Sequence, residues 1–289
     1  MNDVTVEVAT KETASSLGPR LITGVIMAIS ALAAVEAGGV AFLAVVSALT
    51  AIVTFEWIRM SCHERYHGSV GASIMTLGAS AVAFSLWGVV DAFVVGAIGV
   101  LLVGLVARIE RNRPFIVTSG LALFILSLIS ICWLRQENTT GVATVYWLFV
   151  VIWATDSGAY LVGTFIGGAK IAPRISPKKT WAGFIGGMAS GIVFGVILAI
   201  VLFSVGILEG KPNLGLLAIS GAILSVFAQV GDFTESATKR YFAVKDSGAW
   251  LPGHGGALDR LDSMIFVTPI LALAIWLAGG SAGLLWEGG

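Results

Sequence analysis

Charge is what this sequence has least of. Only 12% of its 289 residues are Asp, Glu, Lys or Arg, about half the share in an ordinary soluble domain. A chain so poor in charge cannot cover a large surface with solvated side chains. Disorder is excluded as well, since it requires high charge and little apolar material, whereas 57% of these residues are hydrophobic. Cysteine is nearly absent, with Cys62 and Cys132 alone, so a secreted disulfide scaffold is excluded. Neither sign of charge is in excess, 17 basic residues facing 17 acidic ones. No global field then attracts nucleic acid, and none is expected as a partner. No Gly-x-x-x-x-Gly-Lys-Ser/Thr run occurs, which disfavours a P-loop nucleotidase. What is present is apolar length. A mean hydropathy of +0.93 points to a polytopic membrane protein.

Residues 1–20 are polar and mixed in charge, unlike a cleaved signal peptide. After them, nine stretches approach the roughly 20 apolar residues that a helix needs to cross a bilayer. They are 21–36, 38–58, 70–87, 89–107, 115–134, 142–166, 181–206, 213–235 and 263–286. Short alternating segments of the closed-barrel kind are missing. The expected fold is therefore all-α, an integral membrane bundle of about nine helices, because lipid offers unpaired backbone groups no partner. The whole chain, 1–289, reads as one membrane-embedded unit. Fifteen of the 17 Lys and Arg fall in segments 1–20, 59–69, 108–114, 167–180 and 236–262, leaving only Arg135 and Lys211 for the other side. That bias places the N-terminus and 236–262, read as one long loop, in the cytoplasm. Gly183, Gly186, Gly187, Gly191 and Gly195 on the seventh span read as a small-residue face for close helix packing.

Two polar clusters can hold chemistry. Residues 231–263 gather Asp232, Glu235, Asp246, Asp259 and Asp262 beside Lys239, Arg240, Lys245 and Arg260. Hard carboxylate oxygens suit Mg²⁺, with or without a second cation, while Lys and Arg can hold phosphates. The run from Pro252 through His254 to Gly256 lets backbone amides approach an anion. Residues 153–187 hold Asp156 within an apolar stretch, a functional candidate by default. Ser176-Pro177-Lys178-Lys179-Thr180 opens the seventh helix, where a phosphate could sit at the helix N-terminus. His63-Glu64-Arg65-Tyr66-His67 matches the H-E-x-x-H zinc-protease pattern. It falls in a short polar link, however, without the third ligand that a catalytic zinc needs. A transporter would place carboxylates at mid-membrane in repeated halves, and no repeat is visible.

At these clusters the sequence resembles the phosphatidate cytidylyltransferases. The C-terminal pattern of that family is met by Ser236, Lys239, Arg240, Lys245, Asp246, Gly248, Pro252, His254, Gly255, Gly256, Asp259, Arg260 and Asp262. Gly231-Asp232, Glu235, the Asp156-Ser157-Gly158-Ala159-Tyr160 run and Ser176 to Thr180 match too, and Arg20 to Gly24 more weakly. The pattern is departed from at Thr164, Ala182, Thr238 and Ala257. The resemblance implies that CTP and phosphatidic acid give CDP-diacylglycerol and pyrophosphate at the cytoplasmic face of an inner membrane of bacterial type. By that analogy Asp232 and Asp259 are the metal ligands. Lys239, Arg240, Lys245 and Arg260 bind triphosphate or lipid phosphate, and Asp246, His254 and Asp262 shape the site. Lys178 and Lys179 add phosphate contacts, with Asp156, Ser176, Thr180, Glu235 and Ser236 as further substrate contacts. The resemblance also suggests a homodimer. The nearest rivals are a related CTP-dependent lipid-phosphate enzyme and a polyprenol kinase.

Overall fold

The computed structural model describes residues 23–62, 65–137, 139–248, 255–280 and 282–286. Over these residues the chain folds into nine α-helices, a two-stranded hairpin and a short 3₁₀ turn. The helices are α1 (Thr23–Ala37), α2 (Gly39–Ser61), α3 (His67–Leu86), α4 (Val89–Ile109), α5 (Pro114–Leu134), α6 (Thr139–Phe165), α7 (Trp181–Ser204), α8 (Leu214–Tyr241) and α9 (Leu258–Leu277). Eight of them are long and apolar enough to cross a membrane. The chain is a polytopic helical membrane protein. Helix α1 reaches only about 22 Å at its rise per residue, and residues 21 and 22 of the expected first span lie outside the described ones.

Helix α5 is the most buried of the spans. Val117, Leu121, Phe124, Leu128 and Ile131 line it inward, and α2, α4 and α9 pack around it. Helix α4 turns Val90, Val94, Ile98, Leu101 and Leu105 outward. In lipid such a face needs no protein cover. The closest helix pair is α6 with α7. A Cβ on Gly187 would stand 2.8 Å from the Thr155 carbonyl oxygen, and one on Gly183 2.7 Å from that of Ala159. The glycine face on α7 is therefore a packing seam, against α6 backbone at Gly183 and Gly187 and against the side chains of Val162, Ser225 and Trp147 at Gly186, Gly191 and Gly195.

Successive helices run up and down, so 65–66, 110–113, 166–180, 242–248 and 255–257 gather at one end of the bundle. At the opposite end Arg135, 9% exposed, donates from Nε to the Val35 carbonyl (2.6 Å) at the end of α1. A cation there satisfies carbonyls that the helix leaves unpaired.

Two segments differ from their sequence reading. Ser176–Thr180 is a strand, β2, paired antiparallel with β1 (Lys170–Ala172), and α7 begins only after it. Thr180 is the N-cap of α7, its hydroxyl accepting the Gly183 N–H at 3.0 Å. The 236–262 segment is not one loop. Helix α8 continues to Tyr241 and α9 starts at Leu258, because a helix leaving the hydrocarbon keeps its backbone bonds while its side chains turn polar.

One cap ties two connections together. Glu110, which ends α4, accepts the N–H groups of Gly68 (2.8 Å) and Ser69 (3.0 Å) and the Ser69 hydroxyl at the start of α3. Burial disfavours its charged form, yet the hydrogen bonds from Ser69 and Gly68 prevail and hold the carboxyl below its ordinary value of 4.5. A lowered pKa means a contribution that is complete above the unfolded value and lost as pH falls through the folded one. Glu110→Ala should cost about 1 kcal/mol at neutral pH, read as a lower thermal midpoint in detergent. The gap to wild type should close in acid. An unchanged gap at about pH 3 overturns this account.

Candidate active site

The site stands at the end of the bundle that carries the hairpin. On α8, Asp232, Glu235, Ser236 and Lys239 are spaced three and four residues apart, which puts them on one helix face. On α9, Asp259 and Asp262 are one turn apart. The two helices pack together, so the two faces meet.

Three carboxylates converge. One oxygen each from Asp232, Glu235 and Asp262 lies within 4.8 Å of the others. Two ammonium groups bracket them. Lys179, at the end of β2, reaches Asp232 Oδ2 at 2.6 Å and also sits 4.0 Å over the Phe233 ring. Lys239 bridges Glu235 Oε1 at 2.6 Å and Asp259 Oδ1 at 2.8 Å. Asp156 on α6 and Arg260 on the first turn of α9 complete the electrostatic neighbourhood of Asp232, Asp262 and Lys179. Asp156 lies nine residues before the end of α6, about 13 Å inward by helical rise. The site thus dips below the rim of the bundle.

Asp259 lies beside Glu235, the two carboxylates sharing the Lys239 ammonium. Its oxygens accept Lys239 Nζ, the Ser247 N–H (3.1 Å to Oδ2) and the Gly256 N–H (2.9 Å). The neighbour that shares space with Asp232 is Asp262, one turn further along α9.

The remaining residues singled out in the sequence are scattered around this centre. Ser236 Oγ approaches Asp232 Oδ1 at 3.5 Å. Thr180 is spent on the α7 cap. Ser176 opens β2, and Lys178 is exposed on it with its carbonyl facing Lys170 Nζ. Arg240 is exposed and bonds the Val244 carbonyl at 3.4 Å. Lys245 and Asp246 are exposed in the α8–α9 connection. His254, like His63 and Glu64 of the H-E-x-x-H run, lies outside the described residues. His67 opens α3 with its ring 4.7 Å from that of Tyr66.

One group the motifs did not reveal is Glu56 on α2. It is 1% exposed and accepts the N–H groups of Ala257 (3.0 Å) and Leu258 (2.8 Å) and the Ser247 hydroxyl (2.9 Å). Its signal was available, since a lone carboxylate in an apolar span is costly without partners. Beside the carboxylates, a cavity of about 210 Å³ opens between α2, α5, α8 and α9, with Trp57, Met60, Leu123 and Phe266 facing Glu235 and Asp262.

Chemically, the arrangement offers hard oxygen donors, two ammonium groups and an apolar recess within one small volume. That combination suits an anionic substrate carrying an apolar tail. Comparison with known proteins narrows the choice. Residues 18–278 match the cytidylyltransferase family. The chain is 35% identical over 263 residues to the phosphatidate cytidylyltransferase of Brucella suis biovar 1 (strain 1330), covering 90% of this chain and 93% of that one. It is 37% identical over 261 residues to the protein of the same name from Bacillus subtilis (strain 168), covering 87% and 95%. With the phosphatidate cytidylyltransferase of Staphylococcus saprophyticus it shares 38% identity over 169 residues, 58% of this chain and 63% of that one.

Proposed function

The chain belongs to the cytidylyltransferase family, and from that premise we propose that it transfers a cytidylyl group from CTP to phosphatidic acid. The observation that carries this reading is the convergence of Asp232, Glu235 and Asp262 between Lys179 and Lys239, beside an apolar cavity. A lipid phosphate oxygen attacks the α-phosphorus of CTP. The bond to the bridging oxygen of the β-phosphate breaks, and CDP-diacylglycerol and pyrophosphate leave. The nucleophile is already an anion, so the protein must position two polyanions and neutralise them.

The residues fit a hard divalent cation. Three carboxylates within reach of one another form an all-oxygen donor set of the kind Mg²⁺ shares with substrate phosphates. Asp232, Glu235 and Asp262 would hold it, with Asp259, next to Glu235 across Lys239, as a further ligand. When bound, such a cation supplies charge neutralisation on the triphosphate and its leaving group. Lys179 and Lys239 are paired with carboxylates here, and their flexible stems let them turn to phosphate oxygens when substrate arrives. Asp156 and Arg260 fix the field around the reacting group, and Lys178, Arg240 and Lys245 form an exposed basic rim for the incoming triphosphate. The cavity beside Trp57 and Phe266 accommodates the apolar part of the lipid nearest its phosphate. The same rim carries the basic connections, so the site faces the cytoplasm, where positive charge is retained and CTP is found.

The test is a purified-protein assay with α-labelled CTP, Mg²⁺ and phosphatidic acid. Labelled CDP-lipid and pyrophosphate should form one to one. A polyprenol kinase would instead move the γ-phosphate and leave the α-label in CDP. No labelled product with phosphatidate or any other lipid phosphate overturns the reading.

A further inference from the structure

We propose that Glu56, on a helix remote in sequence from the carboxylate cluster, is a positioning residue that sets the first turn of α9 and through it the cation-binding carboxylates. The inference rests on the functional reading above. The start of a helix leaves backbone N–H groups without intrahelical partners. At α9 two carboxylates divide these donors. Glu56 Oε1 takes the Ala257 N–H and Oε2 the Leu258 N–H, while Asp259 takes that of Gly256 on its own side of the turn. Ser247 joins the two sets, since its hydroxyl donates to Glu56 and its N–H to Asp259. Asp259 then fixes Lys239, and Lys239 fixes Glu235. A continuous run of bonds leads from α2 to the cluster, and Asp262 rides on the same turn that Glu56 caps.

The packing leaves this carboxylate no second position. A Cβ on Gly248 would stand 2.2 Å from Glu56 Oε1, and one on Gly256 2.6 Å from Oε2. Both chain segments close on the carboxylate. An amide in its place fails for a chemical reason. Each oxygen accepts a backbone N–H, so in either orientation the NH₂ of a Gln would confront a donor.

The experiment compares wild type, Glu56→Gln and Ser247→Ala, each purified in detergent and checked for folding by thermal unfolding. Mn²⁺ affinity is measured by electron paramagnetic resonance, alongside kcat and the KM for phosphatidic acid. Glu56→Gln should weaken Mn²⁺ binding and lower kcat by about 10–100-fold, the usual range for a residue that orients metal ligands, with the lipid KM nearly unchanged. Ser247→Ala should shift both in the same direction by less. If folded Glu56→Gln keeps the wild-type kcat and Mn²⁺ affinity, or if wild type binds no Mn²⁺, the inference falls. Should Glu56→Gln not fold, Ser247→Ala decides, and wild-type values there overturn it. A wild type that binds Mn²⁺ but makes no CDP-lipid refutes the functional reading instead. In that event the Mn²⁺ comparison alone still judges Glu56.

Discussion

Replacing Asp232 by Asn is expected to lower kcat for CDP-lipid formation about 10²–10³-fold, the cost of losing one preorganised electrostatic group at a reacting centre. Asp232 does two things at once. It contributes an oxygen to the group shared with Glu235 and Asp262, and it holds Lys179 at 2.6 Å. An Asn preserves the shape but removes the charge that both roles need. Mn²⁺ affinity should fall together with kcat, while the fold persists, because the Asp232 side chain is 37% exposed and water can solvate what remains. Asp262→Asn should behave alike, since its carboxylate belongs to the same group. Asp91→Asn, in the first turn of α4, is the control and should match wild type. Asp232→Asn within threefold of wild type in both kcat and Mn²⁺ affinity would refute the role assigned to it.

The largest loss of stability is expected from Lys239→Met. The Lys239 side chain is 14% exposed and its ammonium pairs with two carboxylates, Glu235 and Asp259, whose side chains are 6% and 8% exposed. Removing one partner of a buried charged network costs about 3–5 kcal/mol, because the charges left behind have lost their compensation. A protein's total stability is only on the order of 5–15 kcal/mol, so such a loss should show as a much lower thermal midpoint and a smaller folded yield. Lys239→Met combined with Glu235→Gln should recover more than half of the lost stability, since one stranded charge is gone. Activity should not return in the double variant, because one of the three converging carboxylates is missing. A single variant as stable as wild type would show that the carboxylates find other compensation, and the network account would fail.

The membrane architecture is legible because hydropathy is local and additive. The apolar stretches around 38–58, 89–107, 115–134 and 181–206 each contain or overlap a helix of nearly the same extent, here α2, α4, α5 and α7. The glycine face of α7 is legible for a similar reason, since its four-residue spacing needs only the helix period. The site is legible as a list of residue types but not as a set of contacts. Residues 236–241 read as loop because their polarity ends the hydropathy signal, although the helix itself runs on to Tyr241. Once that helix is known, Asp232, Glu235, Ser236 and Lys239 fall on one face at once. The strand at Ser176–Thr180 depends on pairing with Lys170–Ala172 across a turn, and no local preference of Ser-Pro-Lys-Lys-Thr reveals it.

By itself, the sequence determined that this chain lives in a bilayer as a helical bundle, and it showed where along the chain its few charges gather. Its motifs pointed to the family. Only the tertiary structure decided which charges share a site. Asp259 and Asp262 stand one turn apart on α9, the first beside Glu235 with Lys239 and two backbone N–H groups on its oxygens, the second gathered with Asp232 and Glu235. Glu56, about 200 residues away along the chain, caps the helix that carries them both. The physical reason is that crossing lipid depends on composition summed along one segment, whereas sharing a ligand or a hydrogen bond depends on atoms brought within about 3 Å from several segments.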